Sequence, residues 1–379
     1  MNNIDLEKYI KLYPNITNCI NKRNNFKGIV ISISGSCGKT TTTSMIYELL
    51  KSKYNVQKSH ENSNGFLGIC WCITDLYSIN NDFWIQEIGI SNVDEMIPKL
   101  NILKPSIYIL TNIYEAHTSN FNKIEDYHDE KIKFIKNPPP NSIIIINNDN
   151  NIINSYIKNN ILFYQTNNIK IIYCGLNLEN DVKLINYKIN EDNISSTYDI
   201  LINNLTNIHF KLNVIGKHYG ENACLAIACA IHLNIPISVI EDTLNKFSLY
   251  IGRGKIHNIK NITIYDYSYN MIHKACMKNL EEFKNINIDN KIIIIGKYVA
   301  EINNDIYFEE IINKSLLITD NVIIFHKNKN ILELINNKIK ILDNIELYNY
   351  ILNLNKDKHW YIFIQTPNYL NTKDIILKI

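Results

Sequence analysis

Gly28-Ile-Val-Ile-Ser-Ile-Ser-Gly35-Ser-Cys-Gly38-Lys39-Thr40-Thr-Thr42 decides the reading of this chain. An apolar β-type run breaks into a glycine turn, and the turn opens a helix, which is the context a phosphate-binding loop requires. Gly35 and Gly38 let backbone N–H groups point inward at an anion, and Lys39 adds a cation. Thr40 offers a hydroxyl to Mg²⁺, while the following helix presents its positive N-terminus. The position six before Lys39 is Ile33, so the motif is a shortened Gly-x-x-Gly-Lys-Thr-Thr form of the Walker loop. Without its flanks it would be an ordinary Gly/Lys turn.

Outward from this loop the chain alternates strands and helices. A helix is expected from Thr41 to about Lys51 and a strand over Tyr54–Ser59. The polar run Glu61-Asn-Ser-Asn64-Gly-Phe-Leu-Gly68 then fits a loop that lines a site or, read alone, an Asn-rich surface turn. A buried strand, Phe83–Ile88, ends in Glu87, an acid that needs a cation or solvent beside it. Ser106–Leu110 runs into Thr111-Asn112 and His117. Parallel sheets place ligands beyond the carboxyl ends of their strands, where Glu87 and His117 both fall. A helix over about Lys123–Ile135 carries Lys131, which by itself reads as a solvated residue. Pro138-Pro-Pro140 ends that helix, and Ile143–Ile146 is the next strand. This order predicts a parallel sheet with crossovers.

From Ile169 to Ile215 the pattern changes to short β-prone pieces (Asp181–Asn190, Ser195–Leu201, Ile208–Val214), expected to form an appended antiparallel sheet. An Ala-rich helix follows from Gly216 to Leu233 and includes His218 and Asn222. A second helix, with Ser238 and Glu241 spaced as a capping box, leads to Gly252-Arg253-Gly254, a plausible hinge. Strands at Ile262–Tyr265, Lys291–Ile295, Val322–Phe325, Ile339–Leu342 and Trp360–Ile364 alternate with helices in a second α/β unit. The residues ahead of the loop read as weakly helical over Asp5–Leu12 and then Asn-rich up to the first strand. The expected domains are therefore a short extension (1–27), a central ATP-binding domain (28–254) and a C-terminal α/β domain (255–379).

Composition narrows the function. The 379 residues carry a net charge of only +2 with no basic block, which argues against a nucleic-acid partner. Apolar runs such as Ile143–Ile146 are of strand length, which argues against a membrane span, and Met1–Ile20 is too interrupted for a secretory signal. The eight cysteines lie scattered without C-x-x-C pairs or metal-ligand spacing and read as reduced thiols, Cys37 as a bystander in the loop. A cytoplasmic, soluble monomer is the expectation.

With these stretches in hand, the chain resembles the Mur ligase family over about residues 26–350, most closely its D-alanyl-D-alanine-adding (MurF-like) branch. Gly35-Ser-Cys-Gly38-Lys39-Thr40-Thr41 has the family's shortened loop. Asn62-Ser-Asn64-Gly-Phe-Leu-Gly68 is similar to that branch's Asn-x-Asn-Asn-x-Ile-Gly, Glu87-Ile-Gly89 to its Glu-Leu-Gly, and Asn112 through His117 to its Thr-Asn…Ala-His. Lys131 falls where the family has a lysine modified to a carbamate. His218 with Asn222, then Gly252-Arg253, then Asp266-x-Ser-Tyr-Asn270 follow in family order. The implied fold is a P-loop parallel-sheet ATPase domain with an appended antiparallel sheet, plus a smaller C-terminal Rossmann-like α/β domain.

The resemblance implies an ATP-dependent amide ligase: a carboxylate substrate is phosphorylated to an acyl phosphate, and an incoming amine or amino acid displaces phosphate. Gly35, Ser36, Cys37, Gly38, Lys39, Thr40 and Thr41 would cradle ATP. Thr40 and Glu87 would hold one Mg²⁺, and His117 with carbamylated Lys131 a second. Asn222 would meet the adenine, Arg253 the γ-phosphate and Asp266 the ribose, with Asn270 close by and closure about the hinge assembling the site. Lys39, His117, Lys131 and Arg253 are the implied catalytic set. The chain departs from the branch at three places. Tyr219 and Tyr267 replace an Asn and an Asp, and Gln365-Thr-Pro367 replaces a Lys-Gly-Ser. Only about 26 residues precede the loop, where cell-wall branches carry a UDP-sugar-binding domain, so an acceptor other than a UDP-muramoyl compound is expected. Two other classes compete. A nucleotide-binding relative that acts through partners would suit the altered Gln365 stretch. A P-loop kinase or GTPase would leave His117, Lys131 and Asp266 unexplained.

Overall fold

The computed structural model describes residues 15–116, 118–296, 304–325 and 339–378. They cluster into two units: one comprises residues through Tyr187 with Tyr198–Phe210 and His218–Phe247, the other Lys188–Thr197, Lys211–Lys217 and Ser248 onward.

In the first unit the isoleucine-rich runs become β1 (Ile29–Ser34), β2 (Val56–Lys58), β3 (Phe83–Ile88), β4 (Ile107–Leu110) and β5 (Ile143–Asn147). They continue through β6 (Lys170–Gly175) to β7 (Val182–Ile189), β8 (Ser196–Ile202) and β9 (Thr206–Leu212). One nine-stranded sheet results, in the order β2-β3-β1-β4-β5-β6-β7-β8-β9. The pairs from β2 across to β6 are parallel. Runs such as Ile143–Ile146 suit strands covered on both faces, because neither face meets water. β7, β8 and β9 are neighbours joined by turns at 190–195 and 203–205, too short for the crossover a parallel pair requires.

The strand order reverses at β1, with β2 and β3 on one side and β4 to β6 on the other. Such a reversal opens a crevice at the carboxyl ends of the strands, which is where the glycine loop after β1 lies.

Three local expectations change. The Asn-rich stretch before β1 is helical over Ile16–Asn25, because Ile16 and Cys19 share one buried face; the expected Asp5–Leu12 helix lies outside the described residues. Lys170–Gly175 joins the parallel part of the sheet beside β5 instead of the antiparallel part. The helix expected to start on a Ser238/Glu241 capping box runs Ile237–Asn245 from Pro236, with no side-chain cap. The fixed φ of Pro236 leads the chain into that helix, and Glu241 instead accepts the His209 N–H at 3.0 Å.

The second unit holds a six-stranded sheet, order β10-β11-β15-β12-β13-β14. Its strands are β10 (Lys255–Ile259), β11 (Ile262–Tyr267), β12 (Lys291–Gly296), β13 (Val322–Phe325), β14 (Lys340–Leu342) and β15 (Trp360–Gln365). All pairs are parallel except β10 with β11. The run Ile292–Ile295 feeds two cores by alternation. Ile293 and Ile295 pack with Leu280, Phe283 and Phe363, while Ile292 and Ile294 pack with Leu347, Ile351 and Ile362. β10 escapes sequence reading because His257 and Asn258 interrupt its apolar pattern. Among the described residues no helix is long and apolar enough to cross a membrane.

Candidate functional site

The loop after β1 takes its shape from the end of β4. Gly35 has φ +139°, and a Cβ there would lie 2.0 Å from Thr111 Oγ1 and 3.0 Å from Asn112 O. Only glycine fits both the conformation and the space. The Ser36 N–H donates to Asn112 O at 2.9 Å, and the Cys37 N–H donates to Asn112 Oδ1 at 2.9 Å. Thr111 Oγ1 and Asn112 Nδ2 donate to Cys37 O at 2.6 and 3.1 Å. Ser36 Oγ donates to Tyr114 O, accepts the Tyr114 N–H and lies 2.7 Å from the Tyr127 hydroxyl. Gly38, at φ +81°, opens the helix Lys39–Leu50, and a Cβ there would lie 2.3 Å from Asn222 Oδ1. The buried Asn222 therefore sits directly against the loop. Thr41 is buried in the first helical turn.

Three charged side chains converge on this loop. Lys39 Nζ donates to Gly35 O at 2.7 Å and to Ser36 O at 3.2 Å. Glu87, next to last in β3, is 7 % exposed and accepts from Thr40 Oγ1 at 3.3 Å. Lys131 is 2 % exposed and donates to Gly35 O at 3.2 Å, so the solvated position expected from its helix alone is replaced by a buried one. Burial, then the like charges of Lys39 and Lys99, hold its ammonium well below the ordinary lysine range. The Glu61–Gly68 stretch packs on the end of β3. Gln86 Nε2 donates to Ser63 O at 2.8 Å and the Gly89 N–H to Asn64 O at 3.0 Å. His117 lies outside the described residues.

Arg253, Asp266 and Asn270 form their own neighbourhood in the second unit. The Arg253 guanidinium stacks 3.5 Å from the centroid of the Tyr269 ring. Asp266 is 0 % exposed; its carboxylate accepts the N–H groups of Gly252 at 2.8 Å and Ser268 at 2.9 Å, and His257 Nε2 lies 3.3 Å away. Its backbone oxygen accepts the Gly254 N–H at 2.7 Å. The Asp266 carboxylate is enclosed and bonded to the loop that carries Arg253. Gln365, in the place of a family lysine, is buried; its Oε1 accepts from Asn279 and its Nε2 donates to Asn270 O at 2.7 Å.

The family described as Mur ligase middle domain matches residues 33–230, a span running from the end of β1 through the Ala-rich helix that carries Asn222. This chain belongs to the Mur ligase family. Among curated relatives, the UDP-N-acetylmuramoyl-tripeptide–D-alanyl-D-alanine ligase of Rickettsia prowazekii is 32% identical over 282 residues, 73% of this chain and 60% of that one. The protein of the same name from Borreliella burgdorferi is 28% identical over 76% of this chain and 59% of its own. The chain thus spans about 60% of the length of these relatives. Among solved structures, the MurF ligase of Thermotoga maritima in complex with ADP superposes with TM-score 0.80 at 18% identity, covering 95% of this chain and 81% of that one. The apo form of L. casei FPGS gives 0.70 at 14%, with both chains fully covered. At those identities the likeness speaks for the fold.

Motif reading of the sequence passes over Tyr127, Gln86 and Glu130. Each acts through a contact between residues distant in sequence, so no local spacing announces it. The available signal is chemical: a Gln in the middle of an apolar strand and a Glu on the buried side of a helix both require partners.

Proposed function

We propose that this Mur ligase uses ATP to activate a small-molecule carboxylate and joins it to an amine or amino acid, releasing ADP and phosphate. A carboxylate oxygen attacks the γ-phosphorus and ADP leaves; the amine nitrogen then attacks the acyl carbon, phosphate leaves and the nitrogen loses a proton. The observation that carries this reading is the buried Lys131 set beside Lys39 on the same Gly35 carbonyl, a few residues from the Thr40–Glu87 pair. A loop that only bound and split a nucleotide has no use for a second, buried lysine.

The residues fit Mg²⁺. The Thr40 hydroxyl and Glu87 carboxylate are hard oxygen donors 3.3 Å apart at the start of a helix, as a hard cation that keeps several waters requires. Lys39 and the N–H groups of the first helical turn after Gly38, through Thr41, would hold the phosphates, and Asn222 the base, while Gly35, Ser36 and Cys37 shape the loop through their bonds to Asn112. Mg²⁺ bound there would offset the charge of two approaching anions. A second Mg²⁺ needs oxygen at Lys131, which an ammonium lacks. A neutral Lys131 amine that adds CO₂, forming a C–N bond and releasing one proton, would supply that oxygen, and His117 would add a nitrogen ligand. Arg253 and Asn270 are the side chains of the second unit that we propose act on nucleotide. The protein would work in the cytoplasm as a monomer.

The test combines protein, ATP, Mg²⁺, hydroxylamine and a panel of carboxylates that includes muramoyl peptides and folates. We expect a hydroxamate that depends on both ATP and one class of carboxylate; none with any member of the panel would sink the ligase reading. A second measurement addresses nucleotide binding alone. Seven cysteines are buried and Cys37 is half-buried within the loop. A thiol reagent should therefore modify one cysteine rapidly in the native protein, and MgATP should slow that reaction. Several fast thiols, or one that saturating MgATP leaves unchanged, would contradict binding at this loop.

A further inference from the structure

We infer that Glu130 is the positioning residue for Lys131, an inference that rests on the proposed carbamate at that lysine. Glu130 and Lys131 are consecutive on the helix Ile124–Lys136, yet they are 0 % and 2 % exposed. Consecutive helical side chains point about 100° apart, so the two reach different neighbours. Lys131 reaches the phosphate loop. Glu130 reaches the N-terminus of the helix Met96–Leu103, where Oε1 accepts the Met96 N–H at 2.7 Å and Oε2 the Asp94 N–H at 3.0 Å. That helix has no side-chain cap of its own, so Glu130 serves as its anion from outside. Lys133 closes the arrangement, 2.7 Å from Glu130 Oε2 and 2.9 Å from Asp94 Oδ1.

The capped helix is tied in turn to the metal side of the loop. Lys99, 2 % exposed and four residues after Glu95, donates to Gly89 O at 2.7 Å and to Glu95 at 2.8 Å. Gly89 stands two residues beyond Glu87. A continuous set of short bonds therefore runs from the strand end bearing Glu87, through Lys99 and the Met96–Leu103 helix, to Glu130 and so to the rotation of the helix bearing Lys131. Rotation of that helix about its axis would swing the Lys131 amine off Gly35, and Glu130 is the side chain on the adjacent position that opposes it.

A charge effect of Glu130 would act in the opposite sense from a placement effect. A carboxylate one residue away favours the ammonium form of Lys131, so removing its charge should favour the neutral amine that reacts with CO₂. Placement predicts less carbamate; charge predicts more.

The experiment is ¹³C NMR of the full chain in ¹³C-bicarbonate and MgCl₂, comparing wild type, Lys131→Ala, Glu130→Gln and Glu130→Asp. Melting temperatures are recorded for each, and spectra are taken well below them. The expected result is a carbamate resonance in wild type, absent from Lys131→Ala and at least about fivefold weaker in both Glu130 variants, because one loses the charge and the other the reach. A wild-type spectrum without the resonance overturns the carbamate reading and this inference with it. A resonance retained or strengthened in Glu130→Gln, or unchanged in a folded Glu130→Asp, overturns the inference alone and leaves Glu130 a stabilising residue. Should Glu130→Gln not fold, the Glu130→Asp comparison decides.

Discussion

Replacing Lys131 by Ala is expected to lower ATP-dependent phosphate release by about a thousandfold or more, the scale on which loss of a group that organises transition-state charge is felt. The side chain is too well buried to act through solvent, and its ammonium cannot ligate a cation. We propose that its contribution comes from chemistry performed on the nitrogen. If that chemistry is a carbamate, the missing atoms are a carboxylate at the end of a chain. A short-chain carboxylic acid entering the space that Lys131→Ala vacates should then restore part of the rate. The measurement is phosphate release by wild type and variant, with and without acetate or propionate, under conditions where wild-type activity is unaffected by either acid. Activity within tenfold of wild type would remove Lys131 from the reaction. Loss without rescue by any acid would leave it as a structural cation against Gly35 O.

Lys131 also marks where sequence reasoning stops. By its sequence Lys131 reads as a solvated helix residue, yet it and the neighbouring Glu130 are both buried. Their partners lie across crossovers: Asp94 and Met96 for one, Gly35 for the other. Only three-dimensional adjacency makes burial of those charges tolerable. The glycine loop, by contrast, was legible, because its requirement is local. Strand, two glycines, lysine and threonine follow one another within a few residues, and a positive φ at Gly35 and Gly38 is what such a turn demands. The strands were legible for the same kind of reason, since uninterrupted isoleucine runs have few other places to go. β10 and the Ile16–Asn25 helix were not, because polar Asn and His dilute their patterns. Asp266 is an intermediate case. Its place at a strand end correctly marks it as a residue with a partner, but the sequence does not say whether the partner is a ligand or the chain itself.

The enclosed Asp266 leads to the second large effect, this time on stability. Asp266→Ala removes the acceptor from two N–H groups, Gly252 and Ser268, that are held inside the fold. A buried donor left without its acceptor costs roughly 1–3 kcal/mol, so with two such donors a loss of about 2–6 kcal/mol is expected in the second unit. Gly252 and Gly254 both sit at positive φ and flank Arg253, which makes their turn the segment most dependent on that carboxylate. Amide hydrogen exchange over β10 and β11 should accelerate in the variant while β1 and β4 keep their protection. Acidity provides the sharper test. Burial pushes the Asp266 carboxyl up, but the hydrogen bonds from His257, Ser268 and Gly252 outweigh it and leave the group below its ordinary value. A depressed folded value means that the contribution is complete above the unfolded carboxyl range, near pH 4, and is lost as pH falls through the lower folded value. Exchange in wild type should therefore approach that of Asp266→Asn only below about pH 4, and the two should stay well separated at pH 7. Equal protection of the two proteins at neutral pH would show that the Gly252 turn holds without the charge. A separation that persists unchanged into strong acid would show that the carboxylate is not the group titrating.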